Sequence, residues 1–152
     1  MNKWEKRFMR LAKEISTWSK DPSRQIGAVA IGENRRILST GYNGFPANID
    51  DSVERLNNRE EKYKYVVHAE KNCIYNACQN GISLKGSSLY VWGLPVCSEC
   101  AKGVIQVGVS KVYYGHVKND EYDDSYWTTS FRVTKSMFDE AGIEVFHMNE
   151  ND

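Results

Sequence analysis

HAEKNCIYNACQNGISLKGSSLYVWGLPVCSECAKGVIQVGVSKVYY, residues 68–114, decides the fold. Its patterning predicts a helix over about 69–79 that stops at Asn80-Gly81, a strand at SSLYVW (87–92), a helix over about 98–107 and a strand at KVYY (111–114). The scheme continues downstream, where FRVTKSMFDEAG (131–142) reads as a helix and IEVFH (143–147) as a strand. Upstream, Trp4, Phe8, Leu11, Ala12, Ile15 and Trp18 recur at three- and four-residue steps, predicting an amphipathic helix over 3–19 with Asn2 as N-cap. It should end near Asp21-Pro22, because proline disfavours helical geometry in the residue before it. IGAVAI (26–31) and RILSTG (36–41) read as strands joined through Glu33-Asn34-Arg35 into a hairpin. Residues 42–66 form a long connection whose charged run, Glu54 to Lys64, reads as a solvated helix face. Strands alternating with helices imply an α/β sandwich around a mixed sheet of about five strands, as one domain over 1–152.

The chain has 152 residues, 41% of them hydrophobic, enough to bury one substantial core. Twenty basic residues balance twenty acidic ones, so no global positive field exists to hold an extended nucleic acid. Every apolar run is shorter than the roughly 18 residues of a membrane span, and MNKWEKRFMR lacks the apolar middle of a signal peptide. A soluble, cytoplasmic protein is the expectation. In a reducing cytoplasm, Cys73, Cys78, Cys97 and Cys100 are read as thiols or metal ligands before disulfides.

Chemistry concentrates in His68-Ala69-Glu70 and Cys97-Ser98-Glu99-Cys100, each at the start of a predicted helix. Inside a helix, residues two apart point about 200° away from each other, so His68 and Glu70 could serve one centre only at a first turn. Cys97 and Cys100 are three apart and fall on one side. The positive end of a helix favours the thiolate that zinc requires. One imidazole and two thiolates leave a tetrahedral Zn2+ one position for water, whereas a structural site needs a fourth donor. Cys73 lies about 140° around the helix from His68 and Cys78 some 15 Å further along it, so neither closes the shell. Both read as buried, apolar-like thiols. The same argument does not reach His116 or His147, each of which follows a strand. Zinc brings its water to a pKa of about 7, and Glu70 can move that water's proton to a pyrimidine N3 and then to the departing amine, with hydroxide attacking C4. Histidine, glutamate two residues on, and paired cysteines form the signature of the zinc deaminases.

With these motifs in place, the chain resembles the deoxycytidylate (dCMP) deaminases of the cytidine deaminase superfamily over most of its length. The shared stretches are SKDPSRQIGAVAI (19–31), GYNGFP (41–46), HAEKNCI (68–74) and CSECAKGVIQVGVSKVYY (97–114). The resemblance implies a three-layer α-β-α sandwich, a homo-oligomer that is often a hexamer, and hydrolysis of dCMP to dUMP and ammonia. It also implies control by dCTP as activator and dTTP as inhibitor, with Mg2+ accompanying the triphosphate. His68, Cys97 and Cys100 would hold zinc and Glu70 would shuttle protons. Asn43, within Gly41-Tyr42-Asn43-Gly44, resembles a nucleotide-contacting asparagine, and its amide can both donate to and accept from a sugar hydroxyl; the glycines equally suit a turn. Lys20, Ser23 and Arg24 resemble a segment near the nucleotide phosphate, for which they supply donors and positive charge. The family usually has proline directly before the first cysteine, whereas here the order is Pro95-Val96-Cys97. Tyr122, Tyr126 and Trp127 are aromatic residues that could stack on a base, cover a neighbouring subunit or simply pack.

Two rivals remain open at the level of sequence. A deaminase of tRNA adenosine or of a free nucleoside shares the zinc apparatus, although neutral charge disfavours the RNA and a nucleoside has no need of Lys20 and Arg24. A non-catalytic zinc-stabilised interaction module would have no use for Glu70.

Overall fold

The computed structural model describes residues 1–117 and 125–149. The first helix, α1 (Lys3–Ser16), starts where Asn2 accepts the backbone N–H groups of Trp4 and Glu5, each at 2.9 Å, while Glu5 accepts the Asn2 N–H at 3.1 Å. This reciprocal capping box satisfies donors that the first helical turn leaves without partners. The helix ends three residues earlier than the apolar spacing predicts. Ser16 and Thr17 turn their hydroxyls back onto the carbonyls of Lys13 and Glu14, so the last turn closes on itself before Trp18.

The strands are β1 (Gly27–Ile31), β2 (Ile37–Tyr42), β3 (Ser88–Trp92), β4 (Lys111–Gly115) and β5 (Glu144–Met148), in spatial order β2-β1-β3-β4-β5. β1 is antiparallel to both β2 and β3, and β3, β4 and β5 run parallel, which makes the expected mixed five-stranded sheet. The parallel pairs need crossovers, and helices supply them: α5 (Ser98–Gln106) joins β3 to β4, and α6 (Ser125–Ala141) precedes β5. The long connection carries two short helices, α2 (Val53–Asn57) and α3 (Arg59–Tyr65), and leads into α4 (Ala69–Gln79).

Alternation along the strands sorts the core into two halves. Val29, Ile31, Tyr90 and Tyr113 face α1 and meet Phe8, Met9, Ala12 and Ile15. Ala28, Ala30, Leu89, Val91 and Val112 face the other way and meet α4, α5 and α6 through Cys73, Ala77, Val104 and Phe138. The result is the three-layer α-β-α sandwich that the resemblance implied. Each buried side chain of Leu or Phe size contributes about 2 kcal/mol. Among the described residues no helix is long and apolar enough to cross a membrane.

Helix α4 lies against β2 closely enough that residue type matters at Gly41. A Cβ there would collide with the backbone N of Cys73 and the carbonyl of Ala69. The Asn72 and Asn76 amides donate to the carbonyls of Tyr42 and Thr40, each at 2.8 Å, and the Ser39 hydroxyl donates to the Cys73 carbonyl at 2.7 Å. Gly41 therefore serves the packing that seats α4. Gly41→Ala is expected to destabilise the protein by about 1–3 kcal/mol, because backbone on both sides must move. Urea unfolding measures it, and an unchanged midpoint would refute the close approach.

Candidate active site

Two helix starts converge on one point. His68 is the N-cap of α4, with extended backbone and no capping bond from its side chain, so the imidazole is available for other work. Glu70 sits in the first turn of α4 and is only 3% exposed. Cys97 is the N-cap of α5, and its sulfur accepts the Cys100 backbone N–H at 3.4 Å. The loop that delivers Cys97 is held from two directions. The Val96 N–H donates to the Tyr114 hydroxyl on β4 at 3.2 Å. From α6, Thr134 donates to the Val96 carbonyl at 2.9 Å, and Ser130 accepts the Ser98 N–H at 2.8 Å. Proline at position 96 would have no N–H for Tyr114, so valine and tyrosine are a matched pair here.

His68 Nδ1 lies 3.4 Å from Cys97 Sγ and 3.4 Å from Cys100 Sγ, and all three donor atoms fall within 4.8 Å of one another. A tetrahedral zinc with ordinary Zn–N and Zn–S bonds separates such donors by about 3.6 Å, so the set matches the ion in type, number and spacing. Among the described residues no other cluster of histidine, cysteine and carboxylate of this kind occurs. The question left open for the other histidines is answered by their surroundings. His116 stacks on Trp92 at 5.0 Å and His147 lies against Tyr114 at 5.4 Å, and neither joins the donor set. Cys73 is fully buried, as expected, and burial pushes its thiol up to about 12. The expectation for Cys78 was wrong: it is exposed, because it falls on the solvent side of the last turn of α4.

The hydrogen bond with Cys100 is the main cause that lowers Cys97 to about 4, helped against burial by His68. Cys100 moves in the opposite direction through that same bond and burial, and His68 is raised chiefly by its bond to Cys97. A cation bound by these donors would displace thiol protons and leave both sulfurs as thiolates. Burial raises the Glu70 carboxyl to about 7, partly offset by attraction to His68. A carboxyl poised near neutrality can both take and give a proton.

Glu70, His68 and Cys97 line a cavity of about 200 Å3. Leu94, Pro95 and Trp127 give it apolar wall, with the Trp127 ring 6.3 Å from that of His68. Of the residues expected at a nucleotide, Ser23, Arg24 and Asn43 line this cavity. The Asn43 amide already accepts the Ile26 N–H at 2.9 Å and donates to the Arg24 carbonyl at 2.8 Å, so one N–H and one lone pair remain for a ligand. Lys20 is not in the lining; it pairs with Asp51 at 3.0 Å on the surface. Gly41, Tyr42 and Gly44 are also outside it: Gly41 packs on α4, Tyr42 meets Trp18 edge-on at 6.1 Å, and Gly44 bridges to Val67. Tyr122 and the Tyr126 side chain lie outside the described residues.

The charged run before His68 corrects the expectation of a wholly solvated face. Arg59, Lys62 and Tyr63 line the cavity, and Lys62 is 6% exposed. Its spacing resembles any surface helix. The available signal was position, because α3 ends just before the chain enters His68.

The family model for the cytidine and deoxycytidylate deaminase zinc-binding region matches residues 2–116. A protein described as an uncharacterized deaminase in the luxG 3′ region of Aliivibrio fischeri is 41% identical over 145 residues, covering 95% of this chain and 93% of its own. The deoxycytidylate deaminase of Homo sapiens is 38% identical over 145 residues, covering 92% of this chain and 76% of its own. The crystal structure of dCMP deaminase from the cyanophage S-TIM5, in complex with dCMP and dUMP, superposes with a TM-score of 0.75 at 26% identity, over 97% of this chain and 99% of that one. The chain belongs to the cytidine and deoxycytidylate deaminase family.

Metal analysis of the purified protein should find about one zinc per chain, with Cys97→Ala or His68→Ala removing it and His116→Gln and His147→Gln retaining it. Loss of zinc in His147→Gln would contradict this donor set.

Proposed function

We propose that this member of the deaminase family is a single-domain, cytoplasmic enzyme that hydrolyses dCMP to dUMP and ammonia. The observation that carries the reading is one cavity lined by Glu70, His68 and Cys97, two of the three donors, and also by Ser23, Arg24, Arg59 and Lys62. Such a cavity offers chemistry for an exocyclic amine together with positive charge for a phosphate monoester. The names of the curated relatives and the ligands of the cyanophage enzyme support the same substrate.

Zinc would be held by His68, Cys97 and Cys100 and would supply Lewis acidity to activate a water. Glu70 is placed to take the proton of the attacking water and hand it to N3, and then to pass the hydroxyl proton to the departing amine, so that the C4–N bond breaks and ammonia and a uracil ring result. Trp127, Leu94 and Pro95 present apolar surface to the base and keep bulk water from this exchange. Asn43 holds Arg24 and Ile26 in place and has one amide N–H and one lone pair left for a sugar hydroxyl.

Steady-state assays test this directly. Wild-type enzyme should turn over dCMP at least about a hundredfold more efficiently than deoxycytidine, by kcat/KM, and Glu70→Gln should keep its zinc while kcat falls by about a thousandfold or more. Equal use of the two substrates would remove the phosphate argument. An active Glu70→Gln would remove the mechanism.

The same reading includes the assembly and control implied by the GYNGFP stretch: a homo-oligomer activated by dCTP and inhibited by dTTP, with Mg2+ on the triphosphate. Rate against dCMP should be sigmoidal, becoming hyperbolic with dCTP and falling with dTTP. Hyperbolic kinetics indifferent to both would retire the control.

A further inference from the structure

Inside the cavity wall, Lys62 Nζ lies 3.2 Å from Asp21 Oδ1, and each side chain is only 8% exposed. That same oxygen accepts the backbone N–H groups of Ser23 at 2.8 Å and Arg24 at 3.2 Å. One carboxylate oxygen thus shapes the backbone of two lining residues, and one ammonium on α3 fastens the carboxylate. Asn43 pins the far end of the segment through the Arg24 carbonyl and the Ile26 N–H. Arg59, three residues before Lys62 on α3, also lines the cavity.

Charge bookkeeping separates the parts played here. Asp21 and Lys62 cancel each other, so the pair adds little net attraction for an anion and its contribution is geometric. A buried ion pair is a weak stabiliser compared with apolar residues of similar size, and its best-attested use is to specify geometry.

We propose that the Asp21–Lys62 pair is a positioning device that fixes the cavity-lining Ser23–Arg24 segment against α3 and thereby selects substrates bearing a phosphate monoester. This rests on the nucleotide reading above. Lys62 and Asp21 act through their neighbours and are positioning residues.

The test measures kcat and KM for dCMP and for deoxycytidine on zinc-loaded wild type, Lys62→Met, Lys62→Arg and Asp21→Asn. Asp21→Asn keeps an oxygen for the two N–H groups and removes the charge that faces Lys62. The KM for dCMP should rise about tenfold or more in Lys62→Met and Asp21→Asn, with kcat changed by less than about threefold, as expected for lost substrate positioning. The ratio of kcat/KM for dCMP over deoxycytidine should fall in step, and Lys62→Arg should restore most of it. Parallel losses on both substrates, or an unchanged KM for dCMP, would overturn the proposal. Should Lys62→Met fail to fold or to hold zinc, Asp21→Asn decides alone, and wild-type discrimination in that variant overturns it. Wild-type enzyme that does not discriminate sinks the nucleotide reading itself, whereas a discriminating wild type with equally discriminating variants sinks only the positioning role.

Discussion

Two sulfurs and an imidazole nitrogen can share a metal only if the starts of α4 and α5 are brought within a few ångströms, and most of the fold can be read as serving that convergence. Helix α4 is seated by its contact with β2, where Gly41 has no side chain to keep the backbones apart and Asn72 and Asn76 bind strand carbonyls. The start of α5 is seated by Tyr114 from β4 and by Thr134 and Ser130 from α6. A displacement of either helix by one ångström would change donor separations of 3.4 Å by a large fraction. The sheet supplies the rigidity that prevents it.

Electrostatics at the same point explains how a carboxyl can be buried there. Glu70 is removed from water, which raises its pKa to about 7, and the penalty is softened by the nearby imidazole and by the positive end of its own helix. A cation bound beside it would lower that pKa again. Burial and cation pull in opposite directions, which keeps the group within reach of both protonation states.

What the sequence revealed follows from how strongly chemistry or periodicity constrains each residue. The donor set was legible because a metal tolerates few residue types and demands a spacing that one helical turn can satisfy, as with Cys97 and Cys100. The strands and most helices were legible from their apolar period. The start of α6 was missed by six residues, since Ser125–Ser130 is rich in polar and aromatic residues whose period is weak; Ser130 serves Ser98 there. Arg59 and Lys62 were illegible as cavity residues for a related reason. Charged residues on a short helix look solvated until tertiary structure places Asp21 opposite Lys62. At Gly41 the structure adds a role that the motif did not announce, because the missing side chain lets α4 pack on β2.

The charge distribution supports a small ligand over a polymer by its own logic. A chain with twenty positive and twenty negative residues has no long-range field, and attraction beyond about 10 Å is screened in any case. Positive charge that matters must therefore be local and partly withdrawn from water, where the effective dielectric is lower. Lys62, 6% exposed, meets that description in the lining of a cavity of about 200 Å3, and the exposed Arg24 and Arg59 line the same cavity. Cationic side chains gathered on one cavity suit a small anion, whereas an extended backbone requires a stripe of charge to release its counterions. The buried Asp21 carboxylate oxygen, which accepts the Ser23 and Arg24 N–H groups and pairs with Lys62, ties the two lining segments together.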